Sequence, residues 1–231
     1  MKIYITRHGQ TSPGGGYING DYRYPSGEVP LSDMGREQAR ILAEKLKEYG
    51  FCGKIFSSPY LRTMETAEII AETLDTVIYP LPCIREIFMK EESANKYVGS
   101  TIETLRHLFS RVAKDATLPE HWWGNPHLES GEDVSARVFA GMDEFPFDKL
   151  DGDVLFVGHG ASTWRLLQYF KIPPAKGRRL YNCSLSITSR DEDIEPVYCD
   201  TSFFSEDMTT SNLKTKAMLD AEDAEKAAQQ E

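Results

Sequence analysis

Two histidines, each directly after a short apolar run, are the residues of this chain best suited to do chemistry. His8 follows the run at residues 2–5, and His159 follows the run at residues 153–157. A histidine side chain can act as a nucleophile, as a general acid or base, or as a metal ligand. Because open parallel α/β sheets bind ligands at the carboxyl ends of their strands, we expect both histidines at one ligand site.

Arginines near the first histidine predict that the ligand is an anion. Arg7 directly precedes His8, and Arg62 falls near the start of the helix expected after the apolar run at residues 54–57. A guanidinium group matches phosphate or carboxylate oxygens in bidentate geometry, and a helix start adds positive charge. The glycine after each histidine predicts close approach of the backbone to the ligand, with N–H groups available to an anion.

The overall composition excludes several classes of partner. The chain has 26 Lys and Arg against 36 Asp and Glu, a net charge of −10, which argues against nucleic-acid binding. No apolar stretch approaches the length that spans a bilayer, and no signal peptide is expected at the N-terminus. The four cysteines form no CxxC pair and are expected to be structural thiols. We therefore expect a cytoplasmic protein without a membrane or nucleic-acid partner.

Alternating strand-like and helix-like segments must position these side chains, and they predict an α/β fold. The expected architecture is a three-layer α/β/α sandwich with a mainly parallel sheet and a helical insertion over the active site. Strands are expected at residues 2–6, 54–57, 76–79, 153–158, 184–188 and 194–199.

Three serines mark the expected helix starts. Ser32 is a plausible N-cap, and Ser130 has an acidic residue three positions later, as in a capping box. Ser58 is expected to cap the helix that carries Arg62, with Pro59 at its first position.

The chain divides into one expected domain and a tail. Residues 1–204 are expected to form a single catalytic domain with an insertion at about residues 86–128. The two adjacent tryptophans of this insertion either wall a substrate pocket or pack the insertion against the sheet. Residues 205–231 are polar and are expected to be a weak helix or disordered, without a role in catalysis.

Several segments, in order and spacing over roughly residues 1–200, resemble the histidine phosphatase superfamily, the RHG-motif or phosphoglycerate mutase-like family. They are Arg7-His8-Gly9, Pro30-Leu31-Ser32 with Gly35 and Gln38-Ala39, Ser57-Ser58-Pro59 with Arg62 and Thr66-Ala67, Arg85-Glu86, Glu129-Ser130-Gly131, and Gly158-His159-Gly160.

The resemblance implies a role for each of these residues. His8 would attack phosphorus and become a phosphohistidine, and Glu86 would protonate the leaving oxygen and then activate water. His159, as a cation, would stabilise the phosphoryl oxygens together with two arginines, so no metal ion or other cofactor is required. The catalytic residues would be His8, Glu86 and His159, and the phosphate-binding residues Arg7, Arg62, Thr11, Gly160 and Asn19.

The sequence departs from the family pattern at two places. An asparagine of the family falls six residues after the nucleophile, where this chain has Gly14, and Asn19 is the substitute we expect. The segment after Glu86 lacks the usual glycine-containing pattern, so Glu91 and Glu92 are alternatives for the general acid.

The function expected from these observations is metal-independent hydrolysis of a small phosphomonoester through a phosphohistidine. A phosphoglycerate-type mutase uses the same residues and returns the phosphoryl group to a sugar acid, so it is the first alternative. A catalytically silent module that binds a phosphorylated ligand is the second. A metal hydrolase is disfavoured because the sequence has no HxH or HExxH motif.

Overall fold

A computed structural model describes residues 1–12, 17–18, 22–23, 28–89, 97–124, 128–175, 179–212 and 214–228. The strands are β1 Lys2–Arg7, β2 Tyr17–Ile18, β3 Tyr22–Arg23, β4 Gly53–Ser57, β5 Ile78–Pro80, β6 Asp153–Gly158, β7 Leu185–Ser189, β8 Val197–Asp200, β9 Thr210–Ser211 and β10 Lys214–Thr215. The helices are α1 Asp33–Glu48, α2 Leu61–Leu74, α3 Ile102–Leu108, α4 Gly131–Asp143, α5 Gly160–Tyr169 and α6 Lys216–Ala228.

Six of the strands form one sheet in the order β5-β4-β6-β1-β7-β8. The first four of these are mutually parallel, whereas β7 runs antiparallel to both β1 and β8. Arg7 is in register with Gly158, and Ser57 is in register with Val157. The residues that follow β1, β4 and β6 therefore share one edge of the sheet, and the predicted mainly parallel sheet is confirmed.

Helices cover both faces of this sheet because its strands bury side chains on both sides. Tyr4 and Leu155 pack into the core under α1 and α2, which also contains Leu105 from α3. Ile5 and Phe156, the next residues along the same strands, pack into the core under α4 and α5. Successive side chains of a strand point to opposite faces, so the two cores alternate along each strand. The predicted three-layer α/β/α sandwich is confirmed.

Two of the three expected helix caps are present. The Ser32 hydroxyl accepts a hydrogen bond from the Gly35 N–H at 3.0 Å and caps α1. At the start of α4, Ser130 and Asp133 form a reciprocal capping box. Both motifs are local in sequence, which is why the residue pattern predicts them.

The prediction that Ser58 caps α2 is wrong. This helix begins at Leu61 with Tyr60 as its N-cap, so Pro59 lies before the helix instead of at its first position. The cause is the neighbouring sheet: the Ser58 N–H donates to the Val157 carbonyl at 3.0 Å and prolongs the strand geometry. The Ser58 side chain is thereby free for another partner, described below.

The insertion at residues 86–128 is helical only over α3 among its described residues. Helix α3 packs on the side of α1 and α2. Three aromatic residues of the insertion pack with Tyr60 near the sheet edge. The rings of Tyr60 and His159 make contact there, with centroids 5.0 Å apart. We call them the aromatic cluster: Tyr60, Phe88, Tyr97 and Trp122.

Part of the segment at residues 205–231 packs against the domain, and the rest forms α6, a helix as expected for this segment. Gln38 on α1 donates to the Thr210 hydroxyl at 2.9 Å and to the Met208 carbonyl at 2.7 Å. The Asn182 N–H donates to the Thr210 carbonyl at 2.8 Å. Buried amide groups from two distant parts of the chain thus hold this segment in place. Within the described residues, no helix is long and apolar enough to cross a membrane.

Candidate active site

Hydrogen bonds on three sides orient His8 just past the end of β1. Its N–H donates to the Gly158 carbonyl at 3.0 Å, and its carbonyl accepts from the Asn182 side-chain amide at 3.0 Å. The ring Nδ1 lies 2.7 Å from the Gly9 carbonyl oxygen. Because a carbonyl oxygen can only accept, Nδ1 carries the hydrogen, and Nε2 keeps the lone pair that a nucleophile needs.

The two glycines that follow the histidines have different surroundings. A Cβ on Gly9 would lie 2.4 Å from the Gly35 carbonyl oxygen, so the close approach is to the start of α1 and not to a ligand. A Cβ on Gly160 would meet no atom within 4 Å. Gly160 therefore opens α5 beside open space at the sheet edge.

His159 is fully buried at the start of α5, and its two ring nitrogens have different surroundings. Nε2 lies 2.8 Å from the Ser58 hydroxyl. Nδ1 lies 3.5 Å from Glu86 Oε2 and has no hydrogen-bond partner among the described residues. The rings of His8 and His159 meet edge to face with centroids 5.3 Å apart. One ring nitrogen of His159 is thus available to a ligand beside His8.

The surroundings of both histidine rings lower their pKa values and so favour the neutral form. Burial, followed by the charges of Arg62 and Arg7, holds the pKa of His8 well below its usual 6.5. Burial, followed by Arg62 and His8, lowers the pKa of His159 in the same direction. A neutral ring suits the nucleophile role of His8. For His159, the lowered pKa argues against the cation that the resemblance implies, because burial next to two guanidinium groups disfavours a third positive charge.

Arg62, the second residue of α2, connects the acidic groups of the site. Its Nη2 lies 3.6 Å from Glu86 Oε2, and its Nη1 lies 3.6 Å from Glu28 Oε2. Its guanidinium group also lies over the Tyr60 ring at 4.6 Å. The arginine is buried, and its position follows from the start of the helix at the sheet edge. Glu28 is not recognisable as a site residue from its sequence context.

Arg7, the last residue of β1, is held by residues from the far end of the chain. Its Nη1 donates to the Leu180 carbonyl and to the Ser211 hydroxyl, at 3.3 and 3.1 Å. Its Nη2 donates to the Asn212 side-chain oxygen, and its buried Nε has no hydrogen-bond partner in the described part of the chain. Sequence reasoning missed Ser211 and Asn212, since polar residues of a tail carry no local signal of such a contact.

Glu86 reaches the site because a buried ion cluster holds the residue before it. Arg85 binds Glu129 with two hydrogen bonds, of 2.7 and 2.9 Å, and Arg137 donates to the same carboxylate at 3.1 Å. Burial would raise the pKa of Glu129, but the two arginines outweigh it and lower the pKa. Arg85 is therefore a structural residue, while the Glu86 side chain remains partly exposed beside Arg62 and His159.

Thr11, a predicted phosphate-binding residue, stands apart from this group. Thr11 forms an antiparallel bridge with Leu31, and no described contact joins its side chain to His8 or the arginines. Asn19, Glu91 and Glu92 lie outside the described residues, so their roles remain predictions.

The two tryptophans of the insertion pack together near the site. Trp122 is buried in the aromatic cluster, and its ring meets that of Trp123 at 5.7 Å between centroids. The Trp122 indole N–H donates to the Ser100 carbonyl at 2.9 Å. These contacts favour the packing interpretation of Trp122 over a pocket wall.

Three groups of the site could also hold a metal ion. One ligand atom from each of His8, Glu86 and His159 lies within 4.8 Å of the others. Neutral imidazoles and a carboxylate are suitable metal ligands. The buried guanidinium groups of Arg7 and Arg62 flank the same space, and their positive charge favours an anion over a cation.

Comparisons with known proteins agree with this geometry. The sequence model of the Histidine phosphatase superfamily (branch 1) matches residues 3–196. The chain is 28% identical, over 193 residues, to the probable phosphoglycerate mutase GpmB of Yersinia pestis, covering 80% of this chain and 83% of that relative.

Solved structures show a similar fold. The YhfR protein of Bacillus stearothermophilus is 25% identical with a TM-score of 0.53, over 82% of this chain and 91% of that one. A mycobacterial glucosyl-3-phosphoglycerate phosphatase in complex with VO3 is 25% identical with a TM-score of 0.52, over 84% of this chain and 93% of that one.

Proposed function

Because this chain belongs to the histidine phosphatase superfamily, we propose that it hydrolyses a small phosphomonoester through a phosphohistidine on His8, without a metal ion. The observation that carries the proposal is the state of His8. Burial and two neighbouring arginines lower the pKa of its ring, which favours the neutral form. Its Nδ1 is hydrogen-bonded to the Gly9 carbonyl, and its ring contacts that of His159. This arrangement leaves Nε2 as a nucleophile next to groups that attract a phosphate dianion.

In the first step, the Nε2 lone pair of His8 attacks phosphorus, and the bond from phosphorus to the leaving oxygen breaks. Arg7, Arg62 and the Nδ1–H of neutral His159 bind the three non-bridging oxygens, where charge develops in the transition state. In this tautomer, His159 Nε2 accepts a hydrogen bond from the Ser58 hydroxyl, 2.8 Å away. Protonated Glu86 transfers its proton to the leaving oxygen, so the alcohol departs neutral.

In the second step, Glu86 acts as a base. Its carboxylate takes a proton from a water molecule, the water oxygen attacks phosphorus, and the bond from phosphorus to His8 Nε2 breaks. Inorganic phosphate leaves, and both His8 and Glu86 return to their starting protonation states. Glu86 suits this double role because its side chain is partly exposed to water while it touches Arg62 and His159.

Two described arginines near Glu86 give no support to the mutase reaction. A phosphoglycerate mutase must bind the carboxylate of its substrate as well as the phosphoryl group, and a guanidinium group is suited to this. The neighbouring Arg85 and Arg137 are both bound to Glu129 and so are not available for that purpose. The mutase alternative nevertheless has support in the name of the Yersinia relative, a probable phosphoglycerate mutase.

The substrate class follows from the relatives and the site together. The mycobacterial relative is named as a phosphatase of a phosphorylated sugar acid, and its structure holds VO3. A small phosphorylated molecule is therefore the proposed substrate. A catalytically silent binding module is disfavoured, because Arg7, His8, Arg62 and His159 are all present and lie together with Glu86.

The deciding experiment is hydrolysis of p-nitrophenyl phosphate in excess EDTA by the wild type and by His8→Ala. We expect turnover in the wild type and its loss in His8→Ala, while His107→Ala, at an exposed histidine of α3, behaves as the wild type. An acid-labile, alkali-stable phosphoryl group should be trapped on wild-type protein only. Transfer to added glycerate instead of water would favour the mutase, and turnover that persists in His8→Ala would refute the nucleophile assignment.

A further inference from the structure

Glu28 is a buried carboxyl group that connects three parts of the site. Its Oε1 accepts hydrogen bonds from the Leu61 N–H at 3.2 Å and from the Tyr97 hydroxyl at 2.8 Å. Its Oε2 lies 3.6 Å from Nη1 of Arg62 and has no hydrogen-bond partner among the described residues. The carboxyl group is thus in contact with the start of α2, the insertion and a phosphate-binding arginine at once.

We propose that Glu28 is a positioning residue for Arg62 that takes up a proton when the site binds a phosphate dianion. The inference rests on the proposed phosphate site and adds that its affinity for a dianion depends on pH through Glu28. In the empty site, ionised Glu28 holds the guanidinium group of Arg62. In the occupied site, protonated Glu28 leaves the charge of Arg62 to the phosphate.

The balance of charge in the site argues for this exchange. The guanidinium group of Arg62 faces the carboxyl groups of Glu28 and Glu86, and Glu86 carries a proton in the proposed first step. A dianion bound to Arg62 would be held close to the Glu28 carboxylate, and two like charges at a shared, buried site disfavour each other. Protonation of one carboxyl group removes this repulsion without breaking the contacts to Leu61 and Tyr97.

The groups around Glu28 bring its pKa close to neutrality, so the proton exchange can occur near pH 7. Burial raises the pKa of Glu28 to about 7, against the opposing effects of Arg62, the Tyr97 hydroxyl and the Leu61 N–H. A dianion pushes the pKa further upward, so binding near or above pH 7 is accompanied by proton uptake. By linkage, uptake of a proton on binding means that affinity for the dianion falls as the pH rises.

Tyr97 gives the inference a second, graded test. Its hydroxyl stabilises the ionised form of Glu28, so Tyr97→Phe raises the pKa of Glu28 in the empty site. The pH range of proton uptake should then move upward, while the aromatic cluster keeps its ring. A purely structural role of Tyr97 would change affinity or stability but would not move the pH at which protons are taken up.

The experiment is calorimetry of tungstate binding from about pH 7 to about pH 9, in buffers of different ionisation enthalpy, which gives the number of protons taken up. Tungstate is a phosphate-like probe that remains a dianion over this range. The variants are Glu28→Gln, which keeps the shape without the charge, and Tyr97→Phe. Glu68→Gln is the matched control, because Glu68 is a desolvated carboxyl group on α2 that contacts Ser110 and Arg111 instead.

We expect proton uptake in the wild type and in Glu68→Gln, loss of most of it in Glu28→Gln, and a shift to higher pH in Tyr97→Phe. Any protons that Glu28→Gln still takes up bind to other groups of the site. Equal uptake by the wild type and Glu28→Gln would overturn the inference while leaving the phosphate site intact. If Glu28→Gln does not fold, an unchanged pH range in Tyr97→Phe overturns it. Wild-type protein that does not bind tungstate at all would overturn the phosphate site itself.

Discussion

The side chain of Asn212 accepts a hydrogen bond from Nη2 of Arg7, although the two residues are 205 positions apart. Ser211 and the Leu180 carbonyl bind the other terminal nitrogen of the same guanidinium group. A long arginine side chain loses considerable rotamer freedom when it is held for a ligand, and these contacts supply part of that order in advance. The C-terminal segment therefore helps to position a proposed phosphate ligand.

Removing the Asn212 side chain should weaken anion binding. We expect Asn212→Gly to raise KM and the dissociation constant of tungstate about 3- to 10-fold, the equivalent of one hydrogen bond of about 1 kcal/mol. Glycine is chosen because Asn212 has φ 55°, which glycine adopts without strain. Lys171→Gly is the control, since Lys171 has the same φ of 55° at an exposed position. Equal affinities of wild type and Asn212→Gly would contradict the positioning role.

Glu86→Gln should affect substrates according to their leaving groups. A glutamine cannot donate the proton that an alkoxide needs, so alkyl phosphates should react about 10²- to 10⁴-fold more slowly. p-Nitrophenyl phosphate, whose leaving group is stable as an anion, should lose much less in its first step. The measurement is kcat/KM for both substrates, with the exposed Glu132→Gln as the control. The same loss for both substrates would exclude Glu86 as the leaving-group acid.

Acid should destabilise the protein through its two buried histidines. In the folded state, the pKa values of His8 and His159 lie well below 6.5, the ordinary value that applies in the unfolded chain. Below pH 6.5 the unfolded chain therefore binds more protons, so stability is complete above this pH and is lost as the pH falls. Each histidine contributes a slope of up to about 1.4 kcal/mol per pH unit.

Urea unfolding at several pH values between about 7 and about 5 measures this slope. His159→Gln removes one of the two titrating rings and should make the pH dependence shallower than in the wild type. The difference between the two proteins isolates the histidine, because other titrating groups contribute to both. Parallel pH dependences would show that the pKa of His159 is the same in the folded and the unfolded protein.

Glu129→Gln should destabilise the fold more than a typical surface substitution. Glu129 is the common partner of Arg85 and Arg137, and its loss leaves two mostly buried guanidinium groups without a counter-charge. We expect a loss of about 3 to 5 kcal/mol in the free energy of unfolding. Glu37→Gln, which breaks the exposed pair with Arg40, should cost less than about 1 kcal/mol. Denaturant titrations compare the two, and similar losses would mean that the buried cluster adds nothing.

Several features follow from local patterns in the sequence. The apolar runs before His8 and His159 predicted strands, and strands β1 and β6 end at Arg7 and Gly158. The caps at Ser32 and Ser130 are likewise local, since each involves residues three positions apart. In these cases the backbone conformation depends on neighbouring residues, so a short segment is enough to predict it.

Other features depend on contacts between distant residues. The residues around Ser58 have the pattern of a helix start, yet the Ser58 backbone is hydrogen-bonded to the neighbouring strand β6. Its hydroxyl contacts His159. Glu28 and Tyr97 each lie in irregular segments without any motif, and only the fold brings them together beside Arg62.

By itself, the sequence determined the order of the strands along the chain, the sheet edge at which the histidines lie, and the family. These depend on apolar periodicity and on short motifs, which act over a few residues. The tertiary structure alone decided the burial of His159, the contacts of Glu28 with Tyr97 and Arg62, and the contact of Asn212 with Arg7. Burial and electrostatic interactions depend on distances in space, and residues far apart in the sequence determine them.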